Sequence, residues 1–280
     1  MPRRPIWLLI AAAGCAASAA LIWLAVAFSA TARWLDVAAD HGFFDLQRPA
    51  LVPIANAIAH SMDPAILVLT AIALVVVALV RGRPRVAAAV PVILIGANVT
   101  TQLLKPALAY PRFSEWLGDR QITGASWPSG HSTAAMAIAL CAVLVAPQRL
   151  RPAVAAMGAV FAVAIAYSLV TLGWHWPSDV LGGFLVAATW TLMAVAVLRA
   201  AELRYPAGAG REAAIRVRDA LTPPAVAAGG AVVVVGALAL AKPRPVLGYI
   251  TAHPAALTGA LTIAALGTVL ATGLALVLRR

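Results

Sequence analysis

Residues 152–198 read PAVAAMGAVFAVAIAYSLVTLGWHWPSDVLGGFLVAATWTLMAVAVL, two uncharged apolar runs, 152–173 and 180–198, on either side of the polar stretch 174–179. A helix that crosses a bilayer needs about 20 predominantly apolar residues, within a range of about 17–25. Both runs have that length, and in hydrocarbon a helix satisfies every backbone amide within its own segment. Working outward, the same pattern recurs at 6–30, 64–80, 86–104, 131–147, 225–241 and 256–278. The expected fold class is therefore all-α, a polytopic transmembrane helix bundle of eight spans. Its expected divisions are a six-span unit over 1–200, a basic cytoplasmic linker over 201–224, and two additional helices over 225–280.

Composition agrees with this reading. The 280 residues are 62% hydrophobic and 11% charged, with mean hydropathy +0.92. A soluble domain is about 45–50% apolar and about 25% charged, so a soluble fold, a disordered chain and a coiled coil are excluded. Cys15 and Cys141 both lie inside apolar runs, which argues against a disulfide framework or a metal site. Ala12-Ala13-Gly14-Cys15 looks faintly like a lipoprotein cleavage box. However, the apolar stretch continues past Cys15, whereas a signal core spans about 7–15 residues. An uncleaved first helix is expected.

The net charge of +11 would point to nucleic acid in a soluble chain. In a membrane chain it reports orientation. Fourteen cations (Arg3, Arg4, Arg81, Arg83, Arg85, Arg149, Arg151, Arg199, Arg204, Arg211, Arg216, Arg218, Arg279 and Arg280) fall on the side of the termini. Seven (Arg33, Arg48, Lys105, Arg112, Arg120, Lys242 and Arg244) fall on the other. The positive-inside rule then puts both termini in the cytoplasm and exports 31–63, 105–130, 174–179 and 242–255. The expected location is a cytoplasmic membrane, with the exported loops on its outer face. In the first of these loops, residues 51–59 form an apolar segment suited to lie along the outer leaflet, as an inert surface helix or as one wall of a lipid entrance.

Three polar stretches gather in the exported set: Lys105 to Arg112, Pro128-Ser129-Gly130-His131, and Ser168 to Asp179. Each alone has an ordinary explanation, such as a snorkelling cation or a helix start. Together they sit at one membrane face, where the spans beginning at 131 and 180 present positive helix N-termini to an anion. Ser129 and Gly130 offer backbone donors, and Lys105 and Arg112 add full charges suited to phosphate. Asp179, four residues after His175, can hold one imidazole nitrogen and leave the other to attack phosphorus. His131 then protonates the leaving oxygen, a service worth about 10²–10⁴ in rate. With no clustered carboxylates, no metal and no other cofactor is expected.

These stretches resemble the type 2 phosphatidic acid phosphatase (PAP2) superfamily, whose signature is K-x6-R-P, P-S-G-H and S-R-x5-H-x3-D. The chain gives Lys105-x6-Arg112-Phe113, Pro128-Ser129-Gly130-His131 and Ser168-Leu169-x5-His175-x3-Asp179. The resemblance implies a six-span core and a phosphohistidine on His175 with Asp179 as its partner. It also implies His131 as general acid, and phosphate binding by Lys105, Arg112, Ser129 and Gly130. The implied reaction is metal-independent hydrolysis of a lipid phosphate or pyrophosphate of the polyprenyl pyrophosphate, phosphatidylglycerol phosphate or phosphatidate class. Phe113 stands where the family has proline, and Leu169 where it has arginine. Arg120, Lys242 and Arg244, all in exported loops, are the expected replacements for that missing charge. Expected partners are the lipid phosphate substrate and membrane lipids, with no nucleic acid. Two other readings use the same pocket: phosphoryl transfer to a different acceptor, and a silent lipid-phosphate binder or transporter, for which Leu169 is the argument. A bis-histidine haem protein would want its histidines deeper in the spans.

The orientation is checked by Ser114→Cys. The new thiol should react with an impermeant maleimide on intact cells; labelling only after disruption would reverse the topology.

Overall fold

The computed structural model of the protein describes residues 5–112, 121–205 and 216–279. Among them there are eleven α-helices and no strand: α1 Ile6–Phe28, α2 Ala30–Phe44, α3 Val52–His60, α4 Pro64–Val80, α5 Pro84–Ala107, α6 Gly130–Val145, α7 Arg151–Thr171, α8 Pro177–Arg204, α9 Val217–Ala241, α10 Pro243–Ala252 and α11 Pro254–Val277.

Each of the eight apolar runs coincides with a helix, but length is a stricter test. Six helices are long and apolar enough to cross a membrane: α1, α5, α7, α8, α9 and α11. A seventh is reached by counting α3 and α4 as one bent span, since they meet at 52°. Helix α6 has only 16 residues, about 24 Å at about 1.5 Å per residue. It is short because the Ser126–Ser129 turn precedes it and Ala146-Pro147 ends it.

The first run, 6–30, does not continue as one rod. Ser29 is extended, with φ −101° and ψ 119°, and caps α2 by accepting a hydrogen bond from the Ala32 amide at 3.3 Å. Arg33 reaches back to the carbonyls of Val26 and Ala27, closing the end of α1. Helix α2 then buries Asp36, Ala39, Asp40 and Phe43. That stripe at i, i+3, i+4 and i+7 is the seam of an amphipathic helix laid on the bundle.

The centre of the bundle is α6, with thirteen of its residues buried, next to α8. Small residues bring the two helices together. A Cβ added at Gly183 would lie 2.7 Å from the Ser129 carbonyl oxygen, and one at Gly182 would lie 2.8 Å from the Trp127 ring. Helix α11 is not peripheral: Ile263, Ala271 and Leu274 belong to the same buried cluster as α6, α7 and α8. Tyr167 on α7 donates to the Ala260 carbonyl at 2.7 Å. Helix α9 is the opposite case, with 6% of its apolar window buried. The two terminal spans therefore differ in kind, one in the core and one against its outside. At the far end of α6, Arg83 donates to the Leu144 and Val145 carbonyls at 2.9 and 3.2 Å. Arg151 donates to Ala146 at 3.2 Å and to Leu278, so guanidinium groups close the C-termini of α6 and α11.

One contact sets where α8 begins. The Asp36 carboxylate on α2 accepts from the Ser178 amide at 2.9 Å and from the Ser178 hydroxyl. This occupies one of the four amide donors that a helix start leaves open. Burial pushes the Asp36 carboxyl up to about 7, Asp179 adding to the rise and Ser178 and Arg112 opposing it. A carboxyl raised in this way resists ionisation when folded, so its contribution to stability is full below about 4 and falls as pH rises toward about 7. Asp36→Asn keeps an acceptor for the Ser178 amide and removes the titration. Its melting temperature in detergent, relative to wild type, should climb between pH 4 and 7 and then level off. A pH-independent difference would contradict the assignment.

Candidate active site

Asp179 occupies the first turn of α8 and is fully buried. Its carboxylate takes two parallel hydrogen bonds from Arg112, at 2.8 and 2.7 Å. Oδ2 also accepts from the Ser126 hydroxyl at 3.0 Å and the Trp176 amide at 3.0 Å, and lies 3.2 Å from His175 Nδ1. The Arg112 guanidinium is held between the rings of Tyr110 and Trp176, 4.4 and 4.5 Å from their centroids. Burial would lower the Arg112 pKa, but the Asp179 carboxylate more than offsets this and holds it above its ordinary value. A carboxylate against Nδ1 fixes the proton there and leaves Nε2 with the lone pair. His175 is thus held by a carboxylate that is itself pinned.

Arg112 is consequently placed differently from Lys105. Both terminal guanidinium nitrogens are committed to Asp179, and the side chain is 1% exposed. Lys105 lies on the last turn of α5, across from α6. A Cβ built on Gly130 would be 3.8 Å from Lys105 Nζ and 3.7 Å from Gln102 Nε2, so two nitrogens converge on the space above that glycine. Gln102 is three residues before Lys105, on the same helix face.

Ser129 is the N-cap of α6 and is fully buried. Its hydroxyl accepts from the Ser132 amide at 3.3 Å, while its own amide donates to the Asp179 carbonyl at 2.9 Å. That second bond stitches the starts of α6 and α8 together. Ser129 contributes by position, and the amides still facing the space are those of Gly130 and His131, which have no acceptor among the described residues. His131 is 34% exposed and lies 3.9 Å from Asp63. The charges of His175, Asp63, Lys105 and His60 all act on its imidazole. The Trp174 ring, 6.0 Å from that of His131, directly precedes His175 in the chain, so one indole links the two histidines.

Leu169, where the sequence motif lacks its arginine, is fully buried in the apolar core. Lys242 and Arg244 are exposed, and neither side chain has a polar partner among the described residues. The polar groups that this C-terminal segment brings to the bundle are Tyr249, donating to the Gly42 carbonyl at 2.8 Å, and His253, 3.2 Å from Asp45. Arg120, Phe113 and Ser114 lie outside the described residues. No group of three or more His, Cys, Asp or Glu among the described residues is arranged to hold a metal.

Sequence reasoning missed Asp36, Ser126, Gln102, Asp63 and the Tyr110–Trp176 sandwich. Only Gln102 had a usable signal, its helical spacing from Lys105. A further feature is an apolar cavity of about 370 Å³ between α1, α5 and α8. Its walls include Trp23, Leu104, Leu108, Trp127 and Trp190. Trp127 stands two residues before Ser129, so the cavity reaches the turn that precedes α6.

The PAP2 superfamily model matches residues 86–202. The fold is similar to the crystal structure of a transmembrane PAP2-type phosphatidylglycerolphosphate phosphatase from Bacillus subtilis, with TM-score 0.55 and 17% sequence identity, over 70% of this chain and 96% of that one. No curated protein sequence matches the chain. Three motifs on converging helix ends lie within or beside the matched region: over residues 86–202 this multi-pass membrane chain is similar to the PAP2 superfamily, and its helices share the fold of that phosphatase.

Proposed function

We propose that the protein hydrolyses the phosphate or pyrophosphate ester of a membrane lipid, at the extracytoplasmic face and through a phosphohistidine on His175. The observation that carries this reading is the His175–Asp179–Arg112 chain, in which a buried ion pair holds an imidazole with Nε2 unencumbered. The phosphate occupies the space above Gly130, met by Lys105, Gln102 and the amides of Gly130 and His131. Such preorganised donors act where charge develops in the transition state. His175 Nε2 attacks phosphorus while the ester oxygen departs with a proton from His131. Water then attacks the phosphohistidine, giving its proton to His131, and inorganic phosphate leaves with Nε2 restored. The lipid class (polyprenyl pyrophosphate, phosphatidylglycerol phosphate or phosphatidate) is supported by the apolar cavity below the site, which suits a hydrocarbon chain.

Arg112 serves the reaction through Asp179. Lys105 and neutral donors supply the phosphate site, and the position of Leu169 is part of the core.

Two experiments test this. Phosphate release from detergent-dispersed lipid phosphates should fall below about 1% of wild type in His175→Ala, as expected for loss of a nucleophile. It should be indifferent to chelators, and retained turnover in the variant would reject the mechanism. Arg112→Lys keeps the charge and loses the paired geometry. It should lower kcat by about tenfold or more, the lower end of a general-acid or orienting effect, with little change in KM. A rise in KM alone would instead assign Arg112 to substrate phosphate.

A further inference from the structure

The turn between α3 and α4 lies outside the family-matched region, which begins at Val86, yet it comes to the site. His60 ends α3 and Asp63 is the N-cap residue of α4. His60 Nδ1 is 3.2 Å from the Asp63 carboxylate. The Oδ1 of that carboxylate, itself 3.3 Å from His60 Nδ1, also faces His131 Nε2 at 3.9 Å, a contact longer than a hydrogen bond. One indole ties these groups to the nucleophile. The Trp174 ring is 5.5 Å from the His60 ring at 73° and 6.0 Å from the His131 ring at 58°, and the next residue is His175.

We infer that Asp63, steadied by His60 and Trp174, is the positioning residue of the general acid His131, on the side of the pocket where the leaving group departs. The inference rests on the proposed phosphatase reaction and adds a fourth stretch of chain to its site. The other charges that act most strongly on His131 belong to Lys105, His175 and His60. Asp63 is thus the one carboxylate in that set, and it favours the imidazolium that must donate a proton. When His131 gives its proton to the departing alkoxide, the carboxylate also favours its recharging by the water that attacks phosphohistidine. The half-exposed setting (Asp63 46%, His60 57%) leaves room for a headgroup beside both side chains.

The discriminating experiment compares two esters on the full-length protein in detergent. A long-chain alkyl phosphate has an alkoxide leaving group that needs a proton, and p-nitrophenyl phosphate has one that does not. Asp63→Asn should lower kcat on the alkyl ester about tenfold while changing the p-nitrophenyl ester no more than about twofold, as expected when only proton donation is impaired. The alkaline limb of its alkyl-ester profile should also move to lower pH, because an imidazolium without its carboxylate loses its proton sooner. Asp63→Glu should restore most of the alkyl-ester rate. Equal loss on both esters, or no loss on either, would overturn the role of Asp63, while His175→Ala would still report on the phosphatase itself. A wild-type protein inactive on both esters would overturn that underlying reading, and this inference with it.

Discussion

The site depends on a single buried ion pair. Asp179 is out of water and surrounded by apolar helix surface. Unpaired, its charge would be untenable there, and removing one partner from such a pair costs about 3–5 kcal/mol. Arg112 supplies the matching fork, and the flat faces of Tyr110 and Trp176 leave the guanidinium one plane to occupy. Because the carboxylate cannot move, neither can the imidazole of His175 or the amide of Trp176. Three segments distant in sequence (the α5–α6 connection, the polar turn before α6, and the start of α8) are thereby brought to one point.

Around that pair, the packing works as a set of spacers. Gly182 and Gly183 let α8 approach the turn that caps α6, which allows the Ser129 amide to bond the Asp179 carbonyl. Asp36 reaches from α2 to the next residue of α8 and fixes its first turn from the opposite side. Helix α11 lies behind both: Gly259 packs close to Ala39 and Pro177. A segment outside the family-matched region therefore buttresses the helix that carries Asp179.

Much of this was legible in the sequence, for a physical reason. Hydrocarbon demands long apolar runs, so all eight helices that form them could be located by composition alone, and the three polar stretches stood out against them. Finer divisions were not legible. The break at Ser29 is a local capping choice, made within a stretch whose hydrophobicity never drops. The short length of α6 depends on where its polar turn folds, which average hydropathy does not register. Arg112 stood out as a cation suited to phosphate, but whether its fork faces a substrate or a carboxylate is decided by tertiary approach. Asp36 and Asp63 sit in an amphipathic segment and a turn, where acidic residues are commonplace, and their importance comes only from what they touch. The resemblance at 105–179 pointed to the proposed chemistry; it had nothing to say about α2, the α3–α4 turn or α11.

The arginines at the other end of α6 have a consequence of their own. A membrane enzyme that hydrolyses a headgroup needs a wet, charged hollow in its middle, and such a hollow is half of an ion channel. Below this one, α6 provides a closed plug of aliphatic side chains. Beneath the plug, Arg83 and Arg151 occupy the carbonyls that would otherwise invite water inward. Each elementary charge crossing the membrane is driven by about 2.3 kcal/mol per 100 mV. The bundle can thus hold a polar hollow at one end while aliphatic packing and guanidinium groups close the other, an arrangement that opposes the passage of charge.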